Sequence, residues 1–515
     1  MTKNELDRLV VLEKRIAEIA KEFGLSTVPI EFEVVTAQKM LEAMAYHFPT
    51  NFRHWTFGRD YERQRTLYEN TGGGIPYEVV WNFETPRALL VETNPFPLNV
   101  TTIAHVYGHV DFFRENRFTR EGLAVSDIAN EAREAAERFH RYEEQHGEED
   151  VERVIDACMS LQWQRHPDPF FEEPEEEEIR ARLIQIARAD LERGKDVVSE
   201  FQKTPTREEV KDTEKRLRAL GRHTPPQPVH DLLWYIARKS PKPLRPWVTD
   251  IMETVRHQAR ALIFNGRTQI LNEGWAVYWH VRIMRRLFEE GLLTPKEHGV
   301  FNDFHSGVLR PSRHSLNPYS VGVALYEHVE ERWNRGLFGR EYEECDDPMK
   351  KAYWDTKAGL GRQKVFEIRA HFSDRMAIEN FFDASFIHKT KLYIYETEID
   401  EDTDEVVYVV VEDDPKIIRE VLRKSRALYG IPIIAITDGN YGQRGELYLK
   451  HQFEGVELDP EYRDGTLKNI HYLWGRPVHL ETVFEEKVTL FTYDGKKVLS
   501  VSDERQQHDD GLMNI

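Results

Sequence analysis

Two histidines four residues apart are the residues of this sequence best suited to chemistry. His105 and His109 occur in the segment AHVYGH. In a helix, residues at positions i and i+4 lie on one face, one turn apart, so both imidazoles can reach a single metal ion. The alternative is a pair of ordinary histidines with satisfied hydrogen bonds. The spacing alone does not decide between these two interpretations.

A second candidate group combines a carboxylate with a histidine in an aromatic segment. Glu273 and His280 belong to the run NEGWAVYWH. They are seven residues apart, which is two helical turns, so they share a helix face. Burying an unpaired carboxylate costs several kcal/mol or more, so Glu273 requires a partner. That partner is either a metal ion or a basic side chain packed between helices.

Together these two segments resemble the gluzincin peptidases, which bind zinc through an HExxH helix and a glutamate on a later helix, often within an EGWA-like run. The resemblance implies a divalent ion, with zinc as the first choice. It implies His105, His109 and Glu273 as ligands, and His280 as a fourth ligand or as a residue behind the ligands. It further implies that the extended segment at residues 86–93 is an edge strand that holds the substrate.

One departure from this resemblance affects the expected chemistry. The glutamate of HExxH, which is the general base for the zinc-bound water, is replaced by Val106. Valine cannot accept a proton, so either another carboxylate reaches the water or the site does not hydrolyse peptides by that route. Glu131 and Glu134, on the next predicted helix, are candidate bases. The alternative for both is a solvated helix face.

A third segment contains residues that can stabilise an oxyanion. His305, Arg310 and Tyr319 follow the two metal segments in the sequence. In zinc peptidases a late His, Arg or Tyr often has this role, so we predict His305 and Tyr319 as catalytic residues and Arg310 as a substrate-binding residue. The alternative is a structural loop with an Asn-Pro turn before a helix.

Several longer segments of the sequence are similar to those of the SpoVR family (stage V sporulation protein R). They are RHWTFG at 53–58, AHVYGHVDFFREN at 104–116, NEGWAVYWH at 272–280 and LNPYSVG at 316–322. The similarity runs from about residue 5 to the C-terminus. Arg53, His54 and Trp55 either line the same cleft, where they bind a carboxylate or a sugar face, or form a packed turn.

The SpoVR resemblance implies a role in forming the spore cortex, a modified peptidoglycan. We therefore expect a metal-dependent amide hydrolase that acts on a peptidoglycan precursor or a peptide. The family's implied partners are a PrkA-type serine kinase and a protein with a von Willebrand-like domain. The alternative is a non-catalytic regulatory or scaffold protein on a peptidase-like fold that acts with a serine kinase or cell-wall enzymes, as the valine in place of the HExxH glutamate suggests.

Periodicity predicts the elements that position these residues. A strand, a turn and a second strand are expected within 75–93, and a helix at 99–114. The fold class is mainly α, with a gluzincin-like helical core and a short N-terminal sheet over residues 1–385. Inserted helices and a loop are expected at about 126–228. Residues 386–515 alternate between strands and helices and predict a C-terminal α+β domain.

Composition excludes several classes of protein. The 90 acidic and 70 basic residues give a net charge of −20, which disfavours binding to nucleic acid or to anionic lipid. The sequence has no run of 18 or more apolar residues, so we predict no membrane-inserted helix. Cys158 and Cys345 are too few for a disulfide framework or a cysteine-based zinc site. We expect a cytoplasmic protein.

Overall fold

The computed structural model describes residues 1–45, 55–71, 78–81, 84–124, 128–166, 168, 170–193, 207–220, 224–310, 315–399, 406–427 and 430–503. The chain forms two compact units, each built from two segments. The first unit comprises Met1–Glu137 and Ala261–Gly430, and the second comprises Arg138–Arg260 and Ile431–Ile515. A domain boundary between residues 385 and 386 stays a prediction, because compactness does not test whether a segment folds by itself.

The first unit is dominated by helices. Its elements are α1 (Lys3–Glu22), β1 (Glu31–Val35), α2 (Ala37–Ala45), α3 (Trp55–Thr71), β2 (Glu78–Trp81), β3 (Arg87–Val91), α4 (Phe96–Glu115), α5 (Arg117–Ala124), the start of α6 (Ile128–His146), the end of α11 (Pro246–Gly266), α12 (Gln269–Glu289), α13 (Pro295–Val308), α14 (Pro318–Arg335), α15 (Arg340–Glu343), α16 (Pro348–Ala352), α17 (Gly361–His371), α18 (Asp374–Phe381), α19 (Ala384–Thr390), β4 (Ile394–Ile399), β5 (Val406–Glu412) and α20 (Pro415–Ala427).

The second unit combines helices with a five-stranded sheet. Besides parts of α6 and α11, its elements are α7 (Glu148–Met159), α8 (Glu176–Arg193), α9 (Arg207–Leu220), α10 (Leu232–Lys239), β6 (Ile434–Tyr441), β7 (Glu446–His451), α21 (Pro460–Trp474), β8 (Val478–Phe484), β9 (Lys487–Tyr493) and β10 (Val498–Asp503). The strand order is β10-β9-β8-β7-β6. The prediction of a mainly α protein with a C-terminal α+β part is confirmed; the gluzincin-like architecture stays a prediction.

The N-terminal sheet corrects one expectation. Its order is β1-β3-β2, with β3 parallel to β1 and antiparallel to β2. The predicted edge strand at residues 86–93 contains β3, which is the central strand because it pairs on both sides. The strand β2, which pairs with β3 alone among the described strands, carries Glu78 at its first position.

The helix that carries both histidines begins three residues before the predicted start at residue 99. The helix α4 starts at Phe96, after an N-cap at Pro95 that makes no side-chain hydrogen bond. Asn99 is inside the helix and fully buried, and its side-chain amide donates to the carbonyl of Val91 at 3.3 Å. The helix is buried along almost its whole length, as expected for the centre of a large core.

Two glycines let three central helices approach closely. A Cβ at Gly108 of α4 would lie 2.6 Å from the Cα of Ala276 on α12. A Cβ at Gly274 would lie 2.3 Å from the carbonyl carbon of Gly322 on α14. Real Cβ atoms do not come this close to backbone, so any larger residue would push the helices apart. Gly108 therefore limits the distance between α4 and α12, and Gly274 the distance between α12 and α14.

Buried carboxylates hold the same helices in register. Asp111 of α4 accepts hydrogen bonds from the indole of Trp275 at 2.7 Å and from the backbone N–H of Ser26 at 2.7 Å. Asp374 accepts the backbone N–H groups of Ile270 and Leu271 at 2.8 and 3.0 Å. These two N–H groups belong to the first turn of α12 and lack partners within the helix. Asp374 therefore caps α12 from another helix.

Among the described residues, no helix is both long enough and apolar enough to cross a membrane.

Candidate metal centre

The imidazoles of His105 and His109 converge on one buried point. Both residues are 5% exposed, and their rings meet edge to face with centroids 4.5 Å apart. The Nε2 atom of each ring points toward the same carboxylate oxygen, Oε2 of Glu273. The predicted placement of two imidazoles on one helix face, one turn apart, is therefore the geometry observed.

Glu273 comes from α12 and lies at ion-pair distance from both imidazoles. Its Oε2 atom is 3.6 Å from Nε2 of His105 and 3.4 Å from Nε2 of His109. Both separations exceed the 2.7–3.2 Å of ordinary N–H···O hydrogen bonds. Within the described part of the chain, this oxygen is buried and has no hydrogen-bond partner.

A second carboxylate, carried by strand β2, also lies close to His105. Oε1 of Glu78, on β2, is 3.8 Å from Nε2 of His105. The ligand atoms of Glu78, His105 and His109 all lie within 4.8 Å of one another. Both carboxylates therefore approach the histidine pair, Glu78 as part of this mutually close group and Glu273 through its 3.4 and 3.6 Å separations from the two imidazoles.

These separations fit a set of metal ligands. Donors that lie about 2.0–2.1 Å from one tetrahedral zinc ion are about 3.3–3.4 Å from one another. The measured Nε2–Oε2 separations of 3.4 and 3.6 Å are close to that spacing. Nitrogen and carboxylate oxygen are also ligand types that zinc accepts. The residues present therefore fit a divalent ion.

The outward-facing nitrogen of each histidine is also engaged. Nδ1 of His109 is 2.9 Å from Oδ1 of Asn272, an acceptor, so this nitrogen carries the hydrogen. Nδ1 of His105 is 2.9 Å from Nδ1 of His280. Such contacts behind the ligands orient metal-binding imidazoles and select their tautomer.

His280 lies behind His105 and does not converge with the ligand atoms. Seven residues along an α-helix correspond to about 10.5 Å of rise, so His280 and Glu273 share a face of α12 at different heights. Its Nδ1 faces His105, and its Nε2 is 3.1 Å from Nδ1 of His305 on α13. Of the two roles predicted for His280, this geometry favours the one behind the ligands.

The electrostatics of the site separate the two carboxylates. Burial of Glu273 favours the neutral acid, but the adjacent His109 and His105 outweigh burial and lower the pKa of Glu273 to about 2. Burial raises the pKa of Glu78, against the opposing effect of the two histidines. The same surroundings thus shift the pKa values of the two carboxylates in opposite directions.

Tyr319 completes the described surroundings of the site. It lies in the first turn of α14, and its ring stacks on His105 at a centroid distance of 6.1 Å. Burial, followed by the Glu273 and Glu78 carboxylates, raises the pKa of the Tyr319 hydroxyl. The hydroxyl is therefore neutral, and it faces the Glu273 carboxylate as a hydrogen-bond donor.

The other predicted site residues lie elsewhere or outside the described residues. Glu131 and Glu134 lie on α6 with exposed side chains, so the carboxylate beside the histidines is Glu78 and neither of these. Arg310 is exposed, and its backbone carbonyl accepts a hydrogen bond from Asn317. Trp55 begins α3, is 49% exposed and has the guanidinium of Arg59 over its ring. The predicted substrate-binding residues Arg53 and His54 lie outside the described residues.

Two residues of the centre were missed by sequence reasoning. Asn272 precedes Glu273 directly in the NEGWAVYWH word, and a polar residue at this point of a buried helix was a usable signal. Glu78 is a carboxylate in the otherwise apolar strand EVVW. Its position beside the histidines depends on strand pairing, which the sequence does not specify.

Comparison with known proteins places this site in a family. Residues 3–431 match the family described as SpoVR like protein. The chain belongs to the SpoVR family. Residues 432–485 match the SpoVR-like C-terminal domain. A curated relative, the uncharacterized protein YcgB of Escherichia coli (strain K12), is 26% identical over 495 residues, which cover 93% of this chain and 92% of that protein. No solved structure matches the chain.

The family match encloses the whole candidate centre. Glu78, His105, His109 and Glu273 all fall within the SpoVR segment at residues 3–431. They also belong to one compact unit, although two of its chain segments contribute. These four residues therefore belong to the SpoVR part of the chain.

Proposed function

We propose that this SpoVR-family chain binds a divalent metal ion, zinc being the first choice, and uses it to hydrolyse an amide bond. The observation that carries the proposal is the buried Oε2 of Glu273, which makes no hydrogen bond to a described residue and lies 3.4 and 3.6 Å from two imidazole nitrogens. An ordinary buried ion pair would close to hydrogen-bond distance, because an unpaired buried charge costs several kcal/mol. Three donors held open around one point are instead suited to an ion.

When bound, such an ion supplies a water of lowered pKa and polarises a carbonyl oxygen. His105, His109 and Glu273 hold it.

Glu78 supplies the carboxylate that is missing at position 106. The Val106 side chain is fully buried in a cluster with Ala88, against which Val80 packs. Glu78 precedes Val80 by two residues on β2, so both side chains leave the same face of the strand. The base therefore comes from the strand instead of the helix. Glu78 accepts the proton of the attacking water and returns it to the leaving nitrogen.

Tyr319 is suited to the oxyanion that forms during amide hydrolysis. Its neutral hydroxyl lies in the first turn of α14, beside Glu273 and over His105. A fixed donor of this kind stabilises the transition state more than the ground state.

The test uses a substrate panel and one base variant. The expected link of the family to the spore cortex makes peptidoglycan stem peptides the first substrates, with short unmodified peptides as the second set. We expect cleavage by the zinc-loaded protein, and a fall of about 10²–10⁴-fold in rate for Glu78→Gln with zinc still bound. Glu131→Gln, the exposed control, should keep the wild-type rate. Equal rates for wild type and Glu78→Gln would contradict the role of Glu78.

A second function is favoured by one observation, the valine at position 106. In it, the ion stabilises a regulatory or scaffold protein that acts with a serine kinase of the PrkA type and a von Willebrand-like-domain protein. Metal-loaded protein would then cleave no member of the panel and would co-purify with these partners. Their recovery with wild type and their loss on chelation would favour this function over hydrolysis.

A further inference from the structure

A row of three imidazoles runs from the candidate metal centre toward the protein surface. His105 and His280 are buried, at 5% and 3% exposure, and His305 is half-buried. The ring nitrogens are separated by 2.9 Å between His105 and His280 and by 3.1 Å between His280 and His305. The three residues come from α4, α12 and α13, so three helices cooperate to build the row.

The contact distances impose an order on the hydrogens. Two ring nitrogens 2.9 Å apart require a hydrogen on one and a lone pair on the other. A metal ion at Nε2 of His105 needs the lone pair there, which leaves the hydrogen on Nδ1. Nδ1 of His280 must then be the acceptor.

The same reasoning continues along the row. A neutral imidazole whose Nδ1 accepts carries its hydrogen on Nε2. Nε2 of His280 therefore donates to Nδ1 of His305. Every tautomer in the row follows from the one at His105, and no change of charge is required at any step.

Resting on the metal ion proposed above, we infer that His280 and His305 are positioning residues that hold His105 in the one tautomer able to bind the ion. His280 is the direct acceptor for His105, and His305 fixes which nitrogen of His280 is free to accept. His280 does not touch the ion, since both of its nitrogens are engaged by the neighbouring rings.

The other ligand histidine shows why a third ring is needed. His109 donates to the amide oxygen of Asn272, and an amide oxygen is always an acceptor. An imidazole is an acceptor at Nδ1 only while its hydrogen is on Nε2. His280 therefore needs a partner of its own, and His305 provides it.

The test compares two substitutions of His280. His280→Asn retains an oxygen acceptor near the position of Nδ1, whereas His280→Phe keeps the ring shape and removes the acceptor. We expect His280→Phe to weaken zinc binding by about 10–100-fold and His280→Asn to keep most of the wild-type affinity. His305→Phe, at a half-buried position that tolerates substitution more readily, should weaken binding by less than His280→Phe. His298→Phe, on the same helix as His305, is the matched control and should leave affinity unchanged.

Zinc affinity is measured by competition with a coloured chelator, and cobalt-loaded protein reports the ligand set through its visible absorption. Affinity that falls in His280→Phe with an unchanged cobalt spectrum supports a positioning role. Affinity equal to wild type in both His280→Phe and His305→Phe would overturn the inference while leaving the proposed function intact. A cobalt spectrum that changes in His280→Phe would overturn it also, because His280 would then be a ligand. A wild-type protein that binds neither metal would overturn the proposed function itself.

Discussion

Each of the two compact units contains a buried glutamate beside a histidine, and the two pairs are built differently. In the second unit, Nε2 of His479 is 2.9 Å from Oε2 of Glu446, and its Nδ1 is 2.8 Å from the hydroxyl of Thr492. Arg444 donates to both oxygens of Glu446 at 2.6 Å. In the first unit, the nearest imidazole nitrogen to Oε2 of Glu273 is 3.4 Å away, and this oxygen has no hydrogen-bond partner among the described residues.

This difference in contact distance distinguishes a glutamate–histidine pair that only stabilises the fold from a group suited to binding a metal ion. Polar groups that only stabilise a fold close onto one another, because each unmade buried hydrogen bond costs about 1–3 kcal/mol. The Glu446 group is closed in this way. The Glu273 carboxylate cannot close onto the histidines in the same way, because glycine contacts set the separation of the helices that carry these residues. Its Oε2 atom therefore stays without a hydrogen bond to any described residue.

The largest expected effect comes from removing the open carboxylate. Glu273→Gln loses the charge and one ligand, so zinc affinity should fall by more than the roughly 100-fold upper figure for residues behind the ligands. Thermal unfolding with and without zinc measures this, since zinc at 100 times its dissociation constant stabilises the folded protein by about 2.7 kcal/mol. Glu446→Gln should retain the full zinc-dependent shift. An equal loss in both variants would remove the distinction drawn here.

The helix crossing that holds the site open gives the next effect. Gly108→Ala places a Cβ against the backbone of Ala276, at 2.6 Å before relaxation, and overpacking of this kind costs about 1–3 kcal/mol. Zinc affinity should fall with stability, because α12 carries Glu273. The matched control is Gly299→Ala on α13, where no atom lies within 4 Å. It should stabilise the helix by about 0.5–1 kcal/mol. Denaturant unfolding of both variants checks the pair.

A smaller effect is expected behind the second ligand histidine. Asn272→Ala removes the acceptor of the His109 Nδ1 hydrogen and should weaken zinc binding by about 10–100-fold. Asn380→Ala, an exposed asparagine on α18, serves as the control in the same competition titration. Unchanged affinity in Asn272→Ala would show that the ring of His109 is held by packing alone.

The smallest expected effect is the contribution of Glu446 to the pH dependence of stability. The hydrogen bond from Arg444 lowers the pKa of Glu446; burial opposes this, and His479 adds to the lowering. Because the folded-state pKa lies below the unfolded one, the stabilisation is present above the unfolded pKa and is lost as pH falls through the folded value. Melting temperatures from pH 7 to pH 3 should fall less steeply for Glu446→Gln than for wild type. Parallel curves would contradict the contribution assigned to this pair.

Part of the site followed from local periodicity. The four-residue spacing of His105 and His109 brings the two rings together because α4 is a regular helix, whereas Glu273 was predicted beside them from the resemblance to the gluzincin peptidases. Periodicity was less informative for His280. It predicts that His280 and Glu273 share a helix face, but the two residues are two turns apart along α12, and His280 lies behind His105.

The remaining parts depended on long-range pairing. Glu78 reaches the site because β2 pairs antiparallel with β3, and a four-residue strand does not reveal its partner or register. The order that makes β3 central results from the parallel pairing with β1, which comes from a distant segment of the chain. In the second unit, alternation predicted strands and helices after residue 386, but not the strand order β10-β9-β8-β7-β6.

The most direct test of the central claim is the metal content of the purified protein, measured by plasma mass spectrometry after growth with zinc, iron and manganese. The wild type should contain about one equivalent of a divalent metal, as a single ligand set requires, and the His105→Ala/Glu273→Ala double variant should contain none. A wild type without metal, or a double variant with as much metal as the wild type, would contradict a metal centre at these residues.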